Sequence, residues 1–169
     1  SGNAPALWDV LFEKGARPIG NNAISAMRIE KSYRAYGHEL SPDETPLEAG
    51  LGFAVCWEKD FLGKEALLAQ KETGLKKRMI NFVLEDASVK LWGSEPILCN
   101  GEVCGYTSSA CFSPTLGKSI AMGYVKFEQK FTATFLRENN FAIVNLGKTH
   151  DAIASFSAPY DPKREKVNG

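Results

Sequence analysis

The residues with the most obvious capacity for nucleophilic or metal chemistry are two histidines, His38 and His150, and four cysteines, Cys56, Cys99, Cys104 and Cys111. Their surroundings exclude the usual uses. No serine sits in a G-x-S-x-G elbow, so a histidine-activated serine nucleophile of the hydrolase kind has no support. Cys99, Cys104 and Cys111 match no zinc spacing, and there is no C-x-x-C pair, so free structural thiols are expected. Gly117-Lys118-Ser119 ends like a phosphate loop, but Phe112 stands where that loop needs its first glycine. There is no G-x-G-x-x-G fingerprint, so a dinucleotide would have to be held by sequence outside this chain. One charged pair is placed with more purpose. Glu30 falls inside the wide apolar arc of Ala23, Ile24, Ala26, Met27, Ile29 and Tyr33, and Arg34 follows four residues later, the spacing of an intrahelical ion pair.

These residues lie on two kinds of element. Up to about residue 74 the pattern is helical with one strand. Leu7, Val10 and Leu11 predict a helix over Ala6–Lys14 ended by Gly15 and Pro18, and a second helix is predicted from an Asn22 cap to about Arg34. The prolines of Ser41-Pro42-Asp43-Glu44-Thr45-Pro46 make a connector, Leu51–Trp57 reads as a strand, and Lys64–Lys71 reads as a short helix stopped by Gly74. Beyond Lys76 apolar residues alternate in Ile80, Phe82, Leu84; Ile120, Met122, Tyr124; Phe131, Ala133, Phe135; and Phe141, Ile143, which predicts half-buried strands. Asn100-Gly101 predicts a two-residue hairpin turn, because both positions of a type I′ turn need positive φ. The expected class is α+β, with a helical first piece over 1–75 and a small antiparallel barrel over 76–169.

Composition narrows function further. Lysine plus arginine equals aspartate plus glutamate at 20 each, so no global field steers the chain onto nucleic acid or anionic membrane. Apolar runs are interrupted long before the roughly 20 residues a membrane-spanning helix needs. The start, Ser1-Gly2-Asn3-Ala4-Pro5, shows no signal or transit pattern and no initiating methionine, as a processed or excised chain would.

Several stretches carry a resemblance. Thr45-Pro46-Leu47-Glu48-Ala49-Gly50-Leu51-Gly52-Phe53, Asp60 to Leu67, Gly105-Tyr106-Thr107-Ser108-Ser109 and Phe112 to Val125 resemble, in order, the glycine cleavage T-protein superfamily. Met27 to Arg34 followed by Gly37-His38-Glu39-Leu40 resembles the branch fused to flavin enzymes that demethylate sarcosine or dimethylglycine, and the ending Ser157 to Pro162 is similar to the sarcosine branch. The T-protein itself has a folate-binding arginine where this chain has Ile24.

The resemblance implies a C-terminal part of a folate-binding module. There, tetrahydrofolate captures the one-carbon unit released from an N-methylated glycine as 5,10-methylenetetrahydrofolate, shielded from hydrolysis. FAD and the catalytic aspartate are implied to lie before residue 1, on preceding domains of the same polypeptide, so no catalytic residue and no independent catalysis are expected here. By position, Phe53 is implied as an aromatic pocket wall, Arg78 as an arginine for a folate carboxylate, and Tyr160 as a third contact; the alternatives are Phe53 as a core residue and Arg78 as a tie between the barrel and the preceding domain. The alternatives are an aminomethyltransferase working with a lipoyl carrier, disfavoured by Ile24, and a non-catalytic relative of the regulatory subunit of pyruvate dehydrogenase phosphatase. The family implies the mitochondrial matrix for a eukaryotic source and the cytoplasm for a bacterial one.

Overall fold

The computed structural model describes residues 2–128 and 131–168. Helix α1 covers Ala4–Glu13 with Pro5 in its first turn, where a missing amide proton costs nothing, and Gly15 at φ +87° ends it. Helix α2 covers Asn21–Glu30; its cap is Gly20 rather than Asn22. It stops short of the expected Arg34 because Ser32 adopts φ +56°, which aims its hydroxyl at Asn81 Oδ1, 2.7 Å away. A long connector then leads to α3, Lys64–Thr73.

The expected strand at Leu51–Trp57 is not formed. Gly52–Ala54 makes a single 3-10 turn, entered through Gly50 at φ +74° and a Leu51 N–H that donates to Pro46 O at 2.7 Å. The reason is topological. Among the described residues six antiparallel strands close a barrel in the order β1-β4-β3-β2-β5-β6, so no sheet edge is left for another strand to join. They are β1 Lys77–Leu84, β2 Pro96–Cys99, β3 Glu102–Ser113, β4 Lys118–Lys126, β5 Phe141–Asn145 and β6 Lys148–Ser155.

The hairpin at Asn100-Gly101 forms as the sequence predicts, with φ +51° and +88°. Phe131–Phe135 departs from expectation. Thr132 accepts a hydrogen bond from the Phe135 N–H and caps helix α4, Ala133–Glu138, so the apparent period of two is broken. This turns Phe131 and Phe135 onto Phe127 and Phe141 as edge-to-face aromatics beside the barrel core.

Among the described residues there are two apolar cores. Ile80, Phe82, Leu84, Ile97, Ala121, Val125 and Ile143 fill the barrel. On its outer face Met79, Ile120 and Met122 pack beneath Ile29 of α2. Strand β4 is therefore buried on both faces from Ser119 to Gly123, not on one as alternation suggests. Among the described residues no helix is long and apolar enough to cross a membrane.

Candidate functional site

The segment after α2 is stitched to the barrel through polar side chains. Glu39, fully buried, accepts from Arg28 Nη1 at 2.9 Å, Ser108 Oγ at 2.8 Å and the Ala35 N–H at 3.1 Å, while its own carbonyl accepts from Tyr124 OH at 2.8 Å. Arg28 Nη2 reaches Ser109 Oγ at 2.8 Å. Lys31 Nζ donates to Asp161 Oδ2 and to its carbonyl, both at 2.8 Å, tying the C-terminal segment down and holding the Asp161 carboxyl below the ordinary carboxylate range.

The ion pair expected between Glu30 and Arg34 does not form. The helix ends between them, and Glu30 instead accepts from Ser113 Oγ and from Thr115 Oγ1 at 3.1 Å. Arg34 turns away, its Nε donating to Ala49 O at 2.9 Å and its Nη1 to Ser32 O. It lies instead against Arg78 of β1, whose Nη1 donates to Leu47 O and whose guanidinium lies 5.5 Å from the Phe156 ring centroid. Burial lowers both arginine pKa values. For Arg34, nearby Tyr124 opposes that shift and the Arg78 charge adds to it.

Of the three positions carried by the resemblance, Arg78 is a member of this pair, and Phe53, Arg78 and Tyr160 are all absent from the lining of the cleft beside it. Phe53 stands on the 3-10 turn just beyond Gly50 and is 81% exposed, so it is not a core residue. Tyr160 donates its backbone N–H to Glu30 O at 2.9 Å, and Lys166 Nζ lies 5.2 Å from its ring centroid. A cleft of about 230 Å³ opens here, lined by Lys31, Arg34, Gly50, Phe156, Asp161 and Arg164 among others. Sequence reasoning missed Gly50 and Phe156, and it missed Glu39 as the buried node; the motif containing Glu39 was visible, but not its partners. A second cleft of about 450 Å³ separates α2 from β3, walled by Arg28, Trp92 and Phe112, with Lys90 Nζ 3.2 Å from the Phe112 ring centroid.

The four cysteines are free thiols. They are not uniformly buried as expected, for Cys56 is exposed. Burial pushes Cys111 up to about 11 and Cys104 up to about 12. At pH 8 Cys104 should hold roughly a thousandfold less thiolate than an unshifted thiol. Alkylation of the native protein followed by peptide mapping should therefore mark Cys56 first; equal labelling of all four would contradict this burial. Among the described residues no three histidine, cysteine, aspartate or glutamate side chains gather where a metal ion would bind.

Residues 77–161, the barrel, match the glycine cleavage T-protein C-terminal barrel domain, and residues 1–59 match the GCVT N-terminal domain. The chain belongs to the glycine cleavage T-protein family. Within that family it is 38% identical over 155 residues to mitochondrial sarcosine dehydrogenase of Homo sapiens, an alignment covering 89% of this chain and 17% of that protein. It is 43% identical over 124 residues to an aminomethyltransferase of Rubrobacter xylanophilus, covering 72% of this chain and 33% of the other. The crystal structure of aminomethyltransferase T of the Bartonella henselae glycine cleavage system superposes with a TM-score of 0.77 at 26% identity, over 94% of this chain and 44% of that one. The T-protein fold is thus shared across nearly the whole chain, which spans less than half the length of these relatives.

Proposed function

We propose that this chain is the C-terminal part of a tetrahydrofolate-binding, one-carbon-capturing module in a flavin-dependent dehydrogenase of an N-methylated glycine, sarcosine or dimethylglycine. The observation that carries the reading is Ile24 in place of the T-protein arginine, in a chain whose likeness to sarcosine dehydrogenase runs from the helical segment through the barrel. Two further features fit folate binding: an exposed aromatic at Phe53 and a half-buried Arg78 whose guanidinium lies against Phe156 of the cleft.

When bound, tetrahydrofolate supplies the amine nucleophiles that take up the one-carbon unit. Phe53 then offers a face for its ring system, Arg78 a guanidinium for its carboxylate, and Tyr160 an aromatic rim. FAD belongs, on this reading, to a preceding part of the same polypeptide, and this chain alone has no turnover. Helix α1 supports such a partner, because Leu7, Trp8, Val10, Leu11 and Phe12 are all exposed and no residue of the helix is buried. The mitochondrial matrix is the proposed location for a eukaryotic source and the cytoplasm for a bacterial one.

The test uses the complete natural protein. Flavin absorbance that bleaches on adding sarcosine or dimethylglycine, with 5,10-methylenetetrahydrofolate replacing formaldehyde as product once tetrahydrofolate is present, is the expected result. A flavin-free protein would overturn the dehydrogenase reading and leave the second one, an aminomethyltransferase, which the identity to the Rubrobacter enzyme favours.

A further inference from the structure

The loop between β1 and β2 carries two exposed side chains, Lys90 and Trp92, on a backbone held at three points. Ser119 Oγ donates to Val89 O at 2.7 Å, and Asn145 Nδ2 donates to Lys90 O at 2.8 Å. The buried Glu95 carboxylate accepts from the Trp92 N–H at 2.6 Å and from the Gly93 N–H at 3.0 Å, and Thr107 Oγ1 fixes it in turn by donating at 2.6 Å. Leu91, between the two exposed residues, is anchored in the barrel core. Trp92 nonetheless leaves 86% of its surface in water. A large aromatic on a braced loop has already lost the freedom that binding would otherwise remove.

Trp92 and Phe112 wall the 450 Å³ cleft between α2 and β3, a volume within the range of small-molecule sites, and its lining includes the buried Ile29 and Leu91. Arg28, His38 and Lys90 are its basic residues, and no acidic side chain lines it. The buried carboxylates of neighbouring elements are engaged elsewhere: Glu39 by Arg28, Glu30 by Ser113 and Thr115, and Glu95 by the loop amides. Arg28 is thereby matched, and its second terminal nitrogen is on Ser109. Lys90 has no such match, for it takes part in none of the ion pairs among the described residues. Its ammonium rests 3.2 Å from the Phe112 ring centroid, with a contact to Ala87 O at 3.3 Å.

We propose that Trp92, Phe112 and Lys90 form a binding site for a small planar anion, an aromatic ring bearing one carboxylate. The two aromatics supply faces for the ring, and the Lys90 ammonium, already held over Phe112, supplies the charge. One unmatched ammonium suits a single negative charge. The site is separate from the folate reading, whose positions Phe53, Arg78 and Tyr160 are absent from this lining.

The test is calorimetric titration of the complete natural protein with 2-naphthoate and with its uncharged counterpart 2-naphthamide. Wild-type protein should bind 2-naphthoate about tenfold more tightly than 2-naphthamide, the worth of one charge-assisted hydrogen bond. Lys90→Gln should erase that preference while leaving 2-naphthamide affinity within about twofold, and Trp92→Ala should weaken both probes about fivefold or more. The wild-type comparison needs no variant, and circular dichroism checks each variant's fold. No binding of 2-naphthoate, or binding that both variants leave unchanged, would overturn the site. Saturating tetrahydrofolate should leave 2-naphthoate affinity unchanged; displacement would assign the cleft to folate and overturn the separate site while upholding folate binding. Binding of 2-naphthoate that depends on Lys90 and Trp92, in a protein that does not bind tetrahydrofolate, would uphold the site and remove the folate reading.

Discussion

Replacing Glu39 by alanine is expected to destabilise the protein by about 3–5 kcal/mol, the range for removing one partner of a buried ion pair. The Glu39 side chain has no exposure and that of Arg28 only 17%, so the pair is largely withheld from water. The substitution removes at once the carboxylate that accepts from Arg28 Nη1, Ser108 Oγ and the Ala35 N–H, leaving the first two only their longer contacts to Tyr33 O at 3.3 Å and Met122 O at 3.1 Å. It also loosens the segment whose carbonyl holds Tyr124 OH, on the strand buried between the two cores. Urea unfolding measures the effect, and Glu128→Ala is the control. Glu128 sits 4.0 Å from Lys76 with both side chains more than four-fifths exposed, so that variant should stay within about 0.5 kcal/mol of wild type. A Glu39 variant as stable as the control would mean that the buried node does not hold α2 to the barrel.

A second large effect is expected at Gly105. A Cβ there would lie 1.9 Å from Tyr124 O, 2.9 Å from Tyr124 C and 3.0 Å from Val125 Cα. All three are backbone atoms of β4, and Gly105 pairs with Val125 in the β3–β4 ladder, so relief requires the strands to part. Gly123 shows the same close approach from the other strand, 2.6 Å from Tyr106 O. The two glycines let β3 and β4 cross closely where β3 also turns to meet β2. Gly105→Ala should cost more than about 4 kcal/mol or abolish folding, read as loss of soluble yield and of the cooperative melt. Gly20→Ala serves as comparison: nothing lies within 4 Å of its added carbon, and its φ is negative, so a change of about 1 kcal/mol or less is expected.

Much of the barrel was legible in the residues themselves. The alternation of Ile80, Phe82 and Leu84 marks the face that fills it, and Asn100-Gly101 specifies its hairpin through backbone preference alone. The motifs from Thr45 to Phe53 and from Phe112 to Val125 pointed to the T-protein family, which the matched domains bear out. Phe53 could be named from that resemblance, but its exposure could not. These features are local: they depend on the φ a residue tolerates, or on which side of one strand it faces.

The tertiary structure decided what depends on distant partners. Leu51–Trp57 has the residues of a strand, but the closed barrel offers it no edge. Phe131 and Phe135 alternate as strand residues do, yet the Thr132 cap and the aromatic cluster favour a helix. Glu30 and Arg34 have the spacing of a pair, but Glu30 is claimed by Ser113, 83 residues away, and Arg34 is drawn to the carbonyls at Ser32 and Ala49. A buried charge takes the partner that three-dimensional packing brings within hydrogen-bond reach, and sequence spacing fixes that partner only while both residues share one helix.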